Sequence, residues 1–285
     1  MEWVDRLNES IAYIEEHLSE EIDYAQLGRI ACCSAYHYQR LFTYMAGVPL
    51  AEYIRRRRMS LAAAELQSGG SKIIDLAAKY GYSSPTAFNR AFQSVHGVAP
   101  SVVKNQGVPL KTYSPLHFHI AVTGAEQFNY RLESKPAFRV LGLATPMASN
   151  LEQNFAEMPQ LWQKLAAGDT MPRLLALMQG EPAGLLGVSA CGDDEQWQYI
   201  IGVASNQPAA EWNEYQVGSF TWAIFFGAGA CPQAIQQLER RIITEWLPES
   251  GYEYDNGPDI EVYLSPNPAD AKFEVWLPVK FVGKK

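Results

Sequence analysis

The spacing of apolar and polar residues predicts helices throughout the first hundred residues. Leu7, Ile11, Ile14 and Leu18 recur every three or four positions, the period of a helix buried along one side. Asp23 is a suitable N-cap for a second helix, because its carboxylate can accept from free backbone N–H groups. Further helices are predicted over SAYHYQRLF (34–42) as far as Gly47, over 50–68, over 73–81 and over 83–97.

Two of these helices carry the same pattern fifty residues apart. In the first, the apolar stripe is Tyr38, Leu41, Phe42 and Met45, and the opposite stripe is Tyr36, Gln39, Arg40 and Thr43. In the second, the apolar stripe is Phe88, Ala91, Phe92 and Val95, and the opposite stripe is Thr86, Asn89, Arg90 and Gln93. A short helix and a tight turn precede each, which is the helix-turn-helix plan.

The charge of the chain is distributed unevenly. The net charge is −8, but residues 1–33 contribute −6, residues 34–112 contribute +7 and residues 113–285 contribute −9. A basic segment between acidic ones attracts phosphates, although an ordinary solvated surface explains the charge equally well. In a helix-turn-helix, the second helix enters the DNA major groove, so the two polar stripes are interpreted as base-reading surfaces. The alternative for each stripe is a solvated helix face.

The motifs of this part resemble those of the AraC/XylS family of transcription regulators. The resemblance runs from about residue 5 to about residue 106, through SAYHYQRLF, GVPLAEYIRRRRMSLAAAEL, IIDLAAKYGYSSPTAFNRAF and HGVAPS. It implies that the DNA-contacting residues are Tyr36, Gln39, Arg40, Thr86, Asn89 and Arg90. Pro85 departs from the polar residue often found at its position. Of Arg55–Arg58, which point around the whole helix, one or two can reach phosphates and the others pair with acids of the first helix.

The second half alternates strands with helices in a duplicated order. A strand (138–145), a helix around 155–166 and two strands (185–191, 198–205) are followed by a strand (220–229), a helix (232–247) and two strands (259–264, 272–279). Such repeats pair around a pseudo-twofold axis and leave a cleft, where ligands bind preferentially. The segments ITEWLPESGYEYDNGPDIEVYL and KFEVWLPV resemble the GyrI-like small-molecule-binding domain over about 125–283.

This second resemblance implies that Glu261 meets cationic ligands in an aromatic pocket. An unpaired carboxylate among aromatic rings is costly to bury, and a lipophilic cation would relieve that cost. The candidate pocket walls are Trp197, Tyr199, Trp222, Phe225 and Tyr263, and ring faces also attract cations. The alternative for each ring is an ordinary core position. For Glu261 it is an exposed or salt-bridged carboxylate.

The predicted architecture is an all-α domain at 1–108, with two helix-turn-helix units joined by a long helix, a connector at 109–124 and an α+β GyrI-like domain at 125–285. The expected function is a cytoplasmic DNA-binding transcription regulator that senses a small, lipophilic cationic effector. The alternatives are a small-molecule hydrolase, with Glu261 as general base, and a partner domain that contacts RNA polymerase or another protein.

No metal, cofactor or membrane association is expected. The four cysteines form no C-x-x-C pair, and His117 and His119 lack a third ligand at metal-binding spacing. The sequence contains no G-x-S-x-G or H-E-x-x-H motif, so no catalytic residue is assigned. No apolar run approaches the length of about 18 residues that a membrane helix needs. The first ten residues lack the pattern of a signal peptide.

Overall fold

The computed structural model describes residues 3–283 except 70, 104–107, 120–126, 149–150, 192–195, 209 and 266. The chain forms two compact units, Met1–Ile120 and Ala121–Lys285. The predicted domain limits at 108 and 125 stay predictions. The last residues of the predicted connector, 120–124, lie outside the described residues.

As far as Val102, the described part of the first unit is mainly helical, as the apolar periodicity predicts. Asp23 caps the second helix by accepting from the N–H groups of Ala25 (2.8 Å) and Gln26 (3.1 Å). The helices are α1 (Trp3–Glu16), α2 (Tyr24–Ile30), α3 (Ala35–Ala46), α4 (Leu50–Gln67), α5 (Ile73–Lys79) and α6 (Pro85–His96), and a 3-10 turn (Pro100–Val102) follows.

Helices α3 and α6 begin and end in the same way, which supports their origin as a repeat. Ser34 and Ser84 are their N-caps, and each accepts from the backbone N–H three residues later. Gly47 and Gly97 end the helices with φ of 68° and 79°, a left-handed conformation that favours glycine. Pro85 occupies the first turn of α6, where a missing N–H costs nothing.

The four consecutive arginines of α4 all have partners within the first unit. Arg57 forms an ion pair with Glu15 of α1 (2.6 Å), as predicted for part of this run. Arg55 and Arg56 pair with Glu52 of their own helix, both at 2.5 Å. The guanidinium of Arg58 donates to the backbone carbonyls of Leu18 and Glu20. Arg57 and Arg58 therefore join α4 to the elements around it.

The second unit is built on one antiparallel sheet. The strands are β1 (Tyr130–Lys135), β2 (Phe138–Pro146), β3 (Leu185–Cys191), β4 (Trp197–Ala204), β5 (Asn213–Val217), β6 (Phe220–Gly229), β7 (Tyr252–Tyr254), β8 (Asp259–Tyr263) and β9 (Ala271–Phe281). Their order in the sheet is β1-β6-β9-β8-β3-β4-β2-β5, with β7 paired to β9. The helices are α7 (Leu151–Ala166), α8 (Thr170–Leu177), α9 (Gln233–Arg241) and α10 (Leu247–Glu249), and a π-helical turn (Ile242–Trp246) separates α9 from α10.

The sheet confirms the predicted duplication. One repeat is β2-α7-β3-β4 and the other is β6-α9-β8-β9, and the pair β3·β8 lies between them at the centre of the sheet. The sequence did not predict the edge strands β1 and β5, which are short and charged or polar. Each pairs with the opposite repeat, β1 with β6 and β5 with β2, so the edge strands are exchanged between the repeats.

Successive strand residues face opposite sides of the sheet, and two clusters result. On one side, Val188, Trp222, Ile260 and Trp276 belong to a buried cluster contributed by strands. On the other side, Tyr199 packs with residues of α7 and α8. The helices therefore cover the same face of the sheet to which Tyr199 and Glu261 belong.

We expect Glu15→Ala to destabilise the first unit by about 3 kcal/mol, because it leaves the buried Arg57 without its carboxylate. Glu15 also accepts from the hydroxyl of Tyr53 at 2.7 Å. Hydrogen exchange of the α1 and α4 amides in the intact chain measures the effect without requiring both units to unfold together. Glu16→Ala, at the exposed neighbouring position, is the control. Equal exchange in the two variants would contradict a structural role for the pair.

Candidate functional site

Helix α6 presents its predicted DNA-contacting stripe to solvent. Thr86 and Arg90 are exposed and Asn89 is half-buried, while Phe88 and Phe92 on the opposite face are fully buried. The Ser84 cap and Pro85 fix where this helix begins. The arrangement allows the second helix to enter a groove without rearrangement of its core face.

Helix α3 differs from the expectation of an exposed reading face. Tyr36 and Arg40 are only 8% and 5% exposed, whereas Gln39 is half-buried. Tyr36, Arg40 and Tyr44 are spaced one turn apart and all are buried. The Arg40 guanidinium carbon is 5.9 Å from the centroid of the Tyr44 ring, so this arginine packs along its own helix. The base-contacting roles of Tyr36, Gln39 and Arg40 stay predictions.

His37, next to the predicted stripe, has a structural role in this arrangement. Its side chain is buried, and Nδ1 lies 2.8 Å from the hydroxyl of the cap residue Ser34. The imidazole therefore supports the beginning of α3.

In the second unit, a hydrogen-bonded network surrounds Glu261 on β8. The hydroxyl groups of Tyr199 on β4 and Tyr263 on β8 both donate to Oε2 of Glu261, each at 2.9 Å. The indole Nε1 of Trp162 on α7 donates to the Tyr199 hydroxyl at 3.0 Å. The structure thus brings together three predicted residues, Glu261, Tyr199 and Tyr263, and adds Trp162.

Both tyrosines of the network remain protonated at neutral pH. Burial raises the pKa of Tyr199 well above its ordinary value, and the negative charge of Glu261 raises it further. The same two causes raise the pKa of Tyr263. Since both phenols keep their protons, both continue to donate to the carboxylate through the neutral and mildly alkaline range.

Gly187 provides the space for this network. It lies directly opposite Glu261 in the β3·β8 pair, at the centre of the duplicated sheet, and it occupies the equivalent position of the other repeat. A Cβ at Gly187 would lie 2.2 Å from the Tyr199 hydroxyl and 2.7 Å from Oε2 of Glu261. One repeat therefore supplies the carboxylate, and the other supplies no side chain.

An apolar cavity of about 340 Å³ adjoins the network. Trp162 and Tyr263, whose ring centroids are 4.7 Å apart, belong both to the cavity wall and to the network around Glu261. None of the described residues of the wall is charged. They are Pro159, Trp162, Gln163, Ala166, Met171, Leu185, Cys231, Pro232, Tyr263, Ser265, Pro268 and Ala271.

Three of the predicted pocket residues are placed differently. Trp222 faces the other side of the sheet, because successive residues of β6 point to opposite sides. It belongs to the buried strand cluster, where its ring centroid lies 5.6 Å from that of Trp276. Phe225 faces the helices but stacks on Tyr130 (5.4 Å), away from β8. Trp197 shares the face of Tyr199 on β4, yet it is absent from the described cavity wall. For Trp222 and Phe225 the core interpretation agrees with the structure.

Sequence reasoning missed the helical and loop side of the cavity. Trp162, Pro159 and Met171 come from α7 and α8, and strand alternation says nothing about which helix residues face a cleft. Gly187 did leave a signal, since a glycine inside a strand often marks a close approach by another group.

The two histidines of the connector remain a pair. The rings of His117 and His119 are 4.5 Å apart. Among the described residues, no group of three or more His, Cys, Asp or Glu side chains is placed to hold a metal ion.

None of the described helices has both the length and the apolar character needed to cross a membrane.

Comparison with known proteins identifies both units. A helix-turn-helix domain profile matches residues 27–106, and the profile of the GyrI-like small molecule binding domain matches residues 128–280, more than half of the chain. The transcriptional activator AarP of Providencia stuartii is 35% identical over 98 residues, which are 34% of this chain and 73% of AarP. The chain belongs to the AraC-type regulators and carries a GyrI-like domain.

Other relatives match one unit at a time. The regulatory protein SoxS of Escherichia coli K12 is 33% identical over 95 residues, 33% of this chain and 89% of SoxS. A structure of SAV2435 bound to tetraphenylphosphonium covers 53% of this chain and 94% of SAV2435, with a TM-score of 0.47 and 22% identity. The two family profiles show that this regulator combines a DNA-binding unit with a small-molecule-binding domain.

We expect Gly187→Ala to destabilise the GyrI-like domain by about 1–3 kcal/mol, because the new methyl group displaces the Tyr199 hydroxyl from Glu261. Urea unfolding followed by tryptophan fluorescence measures this, since six of the seven tryptophans lie in the second unit. Gly168→Ala is the matched control, because its Cβ would meet no atom closer than 3.9 Å.

A double variant tests the cause of this loss. Tyr199→Phe removes the hydroxyl that the new methyl group meets, so in that background Gly187→Ala should cost less than it does alone. If the two changes add independently, the contact between Gly187 and Tyr199 does not explain the effect.

Proposed function

We propose that the GyrI-like domain of this regulator senses a lipophilic cation and that Glu261 is its charge anchor. The observation that carries the proposal is a carboxylate held by two tyrosine hydroxyls beside an apolar cavity of about 340 Å³. A cation in that cavity approaches Glu261 through the rings of Trp162 and Tyr263. Ring faces attract cations, and the attraction grows when water is excluded.

The described cavity wall favours ligands with an apolar body. Its polar groups are few, chiefly those of Gln163, Ser265 and Cys231, and burial raises the pKa of the Cys231 thiol so that it stays neutral. A compact hydrophilic cation would lose its hydration without replacement there. The proposed effector therefore pairs one delocalised positive charge with aromatic or aliphatic surface.

The cavity also helps to distinguish sensing from the two alternative functions, a partner-binding domain and a hydrolase. A domain that only binds a protein partner is expected to fill its cleft with its own aromatic side chains, and an open cavity favours a ligand. For a hydrolase, Glu261 would have to activate water as a general base. We propose binding without turnover, because both tyrosine hydroxyls already donate to the same oxygen of Glu261.

For the DNA-binding unit we propose that α6 reads base edges with Thr86, Asn89 and Arg90. We propose the same role on α3 for Tyr36, Gln39 and Arg40, in a state in which the buried Tyr36 and Arg40 become exposed. The exposure of Thr86 and Arg90 supports the first part. Arginine can donate two hydrogen bonds to one guanine, and asparagine pairs in the same manner with adenine. In this role the protein acts on DNA in the cytoplasm, and the effector shifts its population between DNA-competent and less competent states.

Tetraphenylphosphonium is a suitable probe, since it is a lipophilic cation without hydrogen-bond donors. We expect it to quench tryptophan fluorescence saturably and to raise the melting temperature of the intact chain. Glu261→Gln should weaken binding about tenfold or more, which corresponds to about 1.4 kcal/mol. Glu249→Gln, which removes one charge from an exposed position, should bind like the wild type.

A neutral probe separates the cavity from the charge. Triphenylphosphine oxide has similar rings and no net charge, so its binding should not change in Glu261→Gln. If wild type and Glu261→Gln bind tetraphenylphosphonium with equal affinity, Glu261 is not the charge anchor. Ester hydrolysis that disappears in Glu261→Gln would instead support the hydrolase.

For DNA recognition, Arg90→Ala should cost about 1–3 kcal/mol of specific affinity while leaving nonspecific affinity almost unchanged. The specific duplex is first selected from a random pool with the intact protein, and affinities are then compared at one salt concentration. Arg240→Ala, an exposed arginine of the second unit, controls for loss of charge. Undiminished specific affinity in Arg90→Ala would exclude a base contact at this position.

A further inference from the structure

The described part of the predicted connector, residues 109–119, is bound to the helices of the first unit along its length. Asn8 of α1 pairs with both backbone groups of Phe118, accepting from its N–H at 2.8 Å and donating to its carbonyl at 3.1 Å. The hydroxyl of Tyr53 on α4 accepts from the N–H of Leu116 at 3.2 Å. The backbone N–H groups of Leu116 and Phe118 therefore both donate to side chains of helices that are far away in sequence.

The middle of this segment is attached to α4 at Tyr113. The hydroxyl of Ser60 accepts from the Tyr113 N–H at 3.0 Å, and the guanidinium of Arg57 donates to the Tyr113 carbonyl. The guanidinium carbon of Arg56 lies 5.1 Å from the centroid of the Tyr113 ring. One residue therefore makes three kinds of contact with three residues of the long helix.

The apolar contacts of the segment reach both helix-turn-helix units. Phe118 is buried and meets Phe42 of α3 edge to face, with ring centroids 6.0 Å apart. Leu110 and Tyr113 pack against the core that contains Phe92 of α6. We name residues 110–118 the strap, because its two ends touch the cores of α3 and α6.

We propose that the strap is a positioning element that sets the spacing and relative orientation of α3 and α6. Two reading helices must match major grooves about 34 Å apart on one face of DNA, so a rotation about α4 would misplace one of them. Side-chain hydrogen bonds to fixed backbone atoms hold the strap in one register along α4. The inference rests on the proposed reading roles of α3 and α6, and it adds what holds the two helices in place.

Asn8, Tyr53 and Phe118 are positioning residues in this proposal, because they would act on DNA only through the reading helices.

The test uses the intact chain and the selected duplex, together with a second duplex carrying one extra base pair between the half-sites. The insertion turns one half-site by about 36° and moves it by about 3.4 Å. Wild type should bind the longer duplex about tenfold more weakly. Phe118→Ala and Asn8→Ala should lose that discrimination, so that the two affinities differ by about twofold or less.

The control is His117→Ala, an exposed position of the strap, which should discriminate like the wild type. Since Phe118→Ala removes a core ring, Phe118→Leu checks the fold, and Asn8→Ala tests the polar attachment independently. If both variants keep the tenfold preference, or if they bind both duplexes more weakly by the same factor, the strap does not position the helices. If wild type itself binds both duplexes equally, the proposed reading by two helices fails, whatever the strap does.

Discussion

The antiparallel pair of β3 with β8 is the constraint on which the second unit depends. It joins the two repeats at the centre of the sheet and places Gly187 opposite Glu261. Because a strand residue faces either one side of the sheet or the other, this register decides that Glu261 faces α7 and that Val262 enters the strand cluster. A slip by one residue would bury the carboxylate among Val188, Trp222 and Trp276 instead, on the opposite side of the sheet from its hydroxyl donor Tyr199.

Helix α4 has the corresponding role in the first unit. Its side chains connect α1 through the ion pair with Glu15, α6 through a hydrogen bond from Arg55 to Ser94, and the strap through Tyr53 and Ser60. Burial raises the pKa of the Tyr53 hydroxyl, and the hydrogen bond to Glu15 raises it further, so the group stays a donor to that carboxylate. A run of arginines that suggests phosphate binding from its sequence serves mainly to assemble the unit.

Periodicity and capping were sufficient to predict most elements of both units. The duplicated helix-turn-helix pattern, the stops at Gly47 and Gly97 and the repeated strand order all follow from local physical chemistry that the residues themselves carry. The exposure of individual side chains could not be predicted from periodicity. Arg40, for example, is amphipathic and can pack its stem along Tyr44 as readily as it can face water. The pocket wall was only partly predicted, since Trp222 and Phe225 lie three positions apart on one strand and cannot both face Glu261.

Both units are duplications, and in the second the candidate function lies where the two copies differ. Symmetric copies supply the scaffold: equal caps on α3 and α6, and equal strand orders on either side of β3·β8. A symmetric pair of carboxylates at the centre of the sheet would repel and would compete for the same hydroxyl donors. Replacing one of them by Gly187 removes the second charge and at the same time makes room for Tyr199 to hold the first. The asymmetry of this pair is therefore what allows a single acidic group to lie beside an apolar cavity in an otherwise repeated fold.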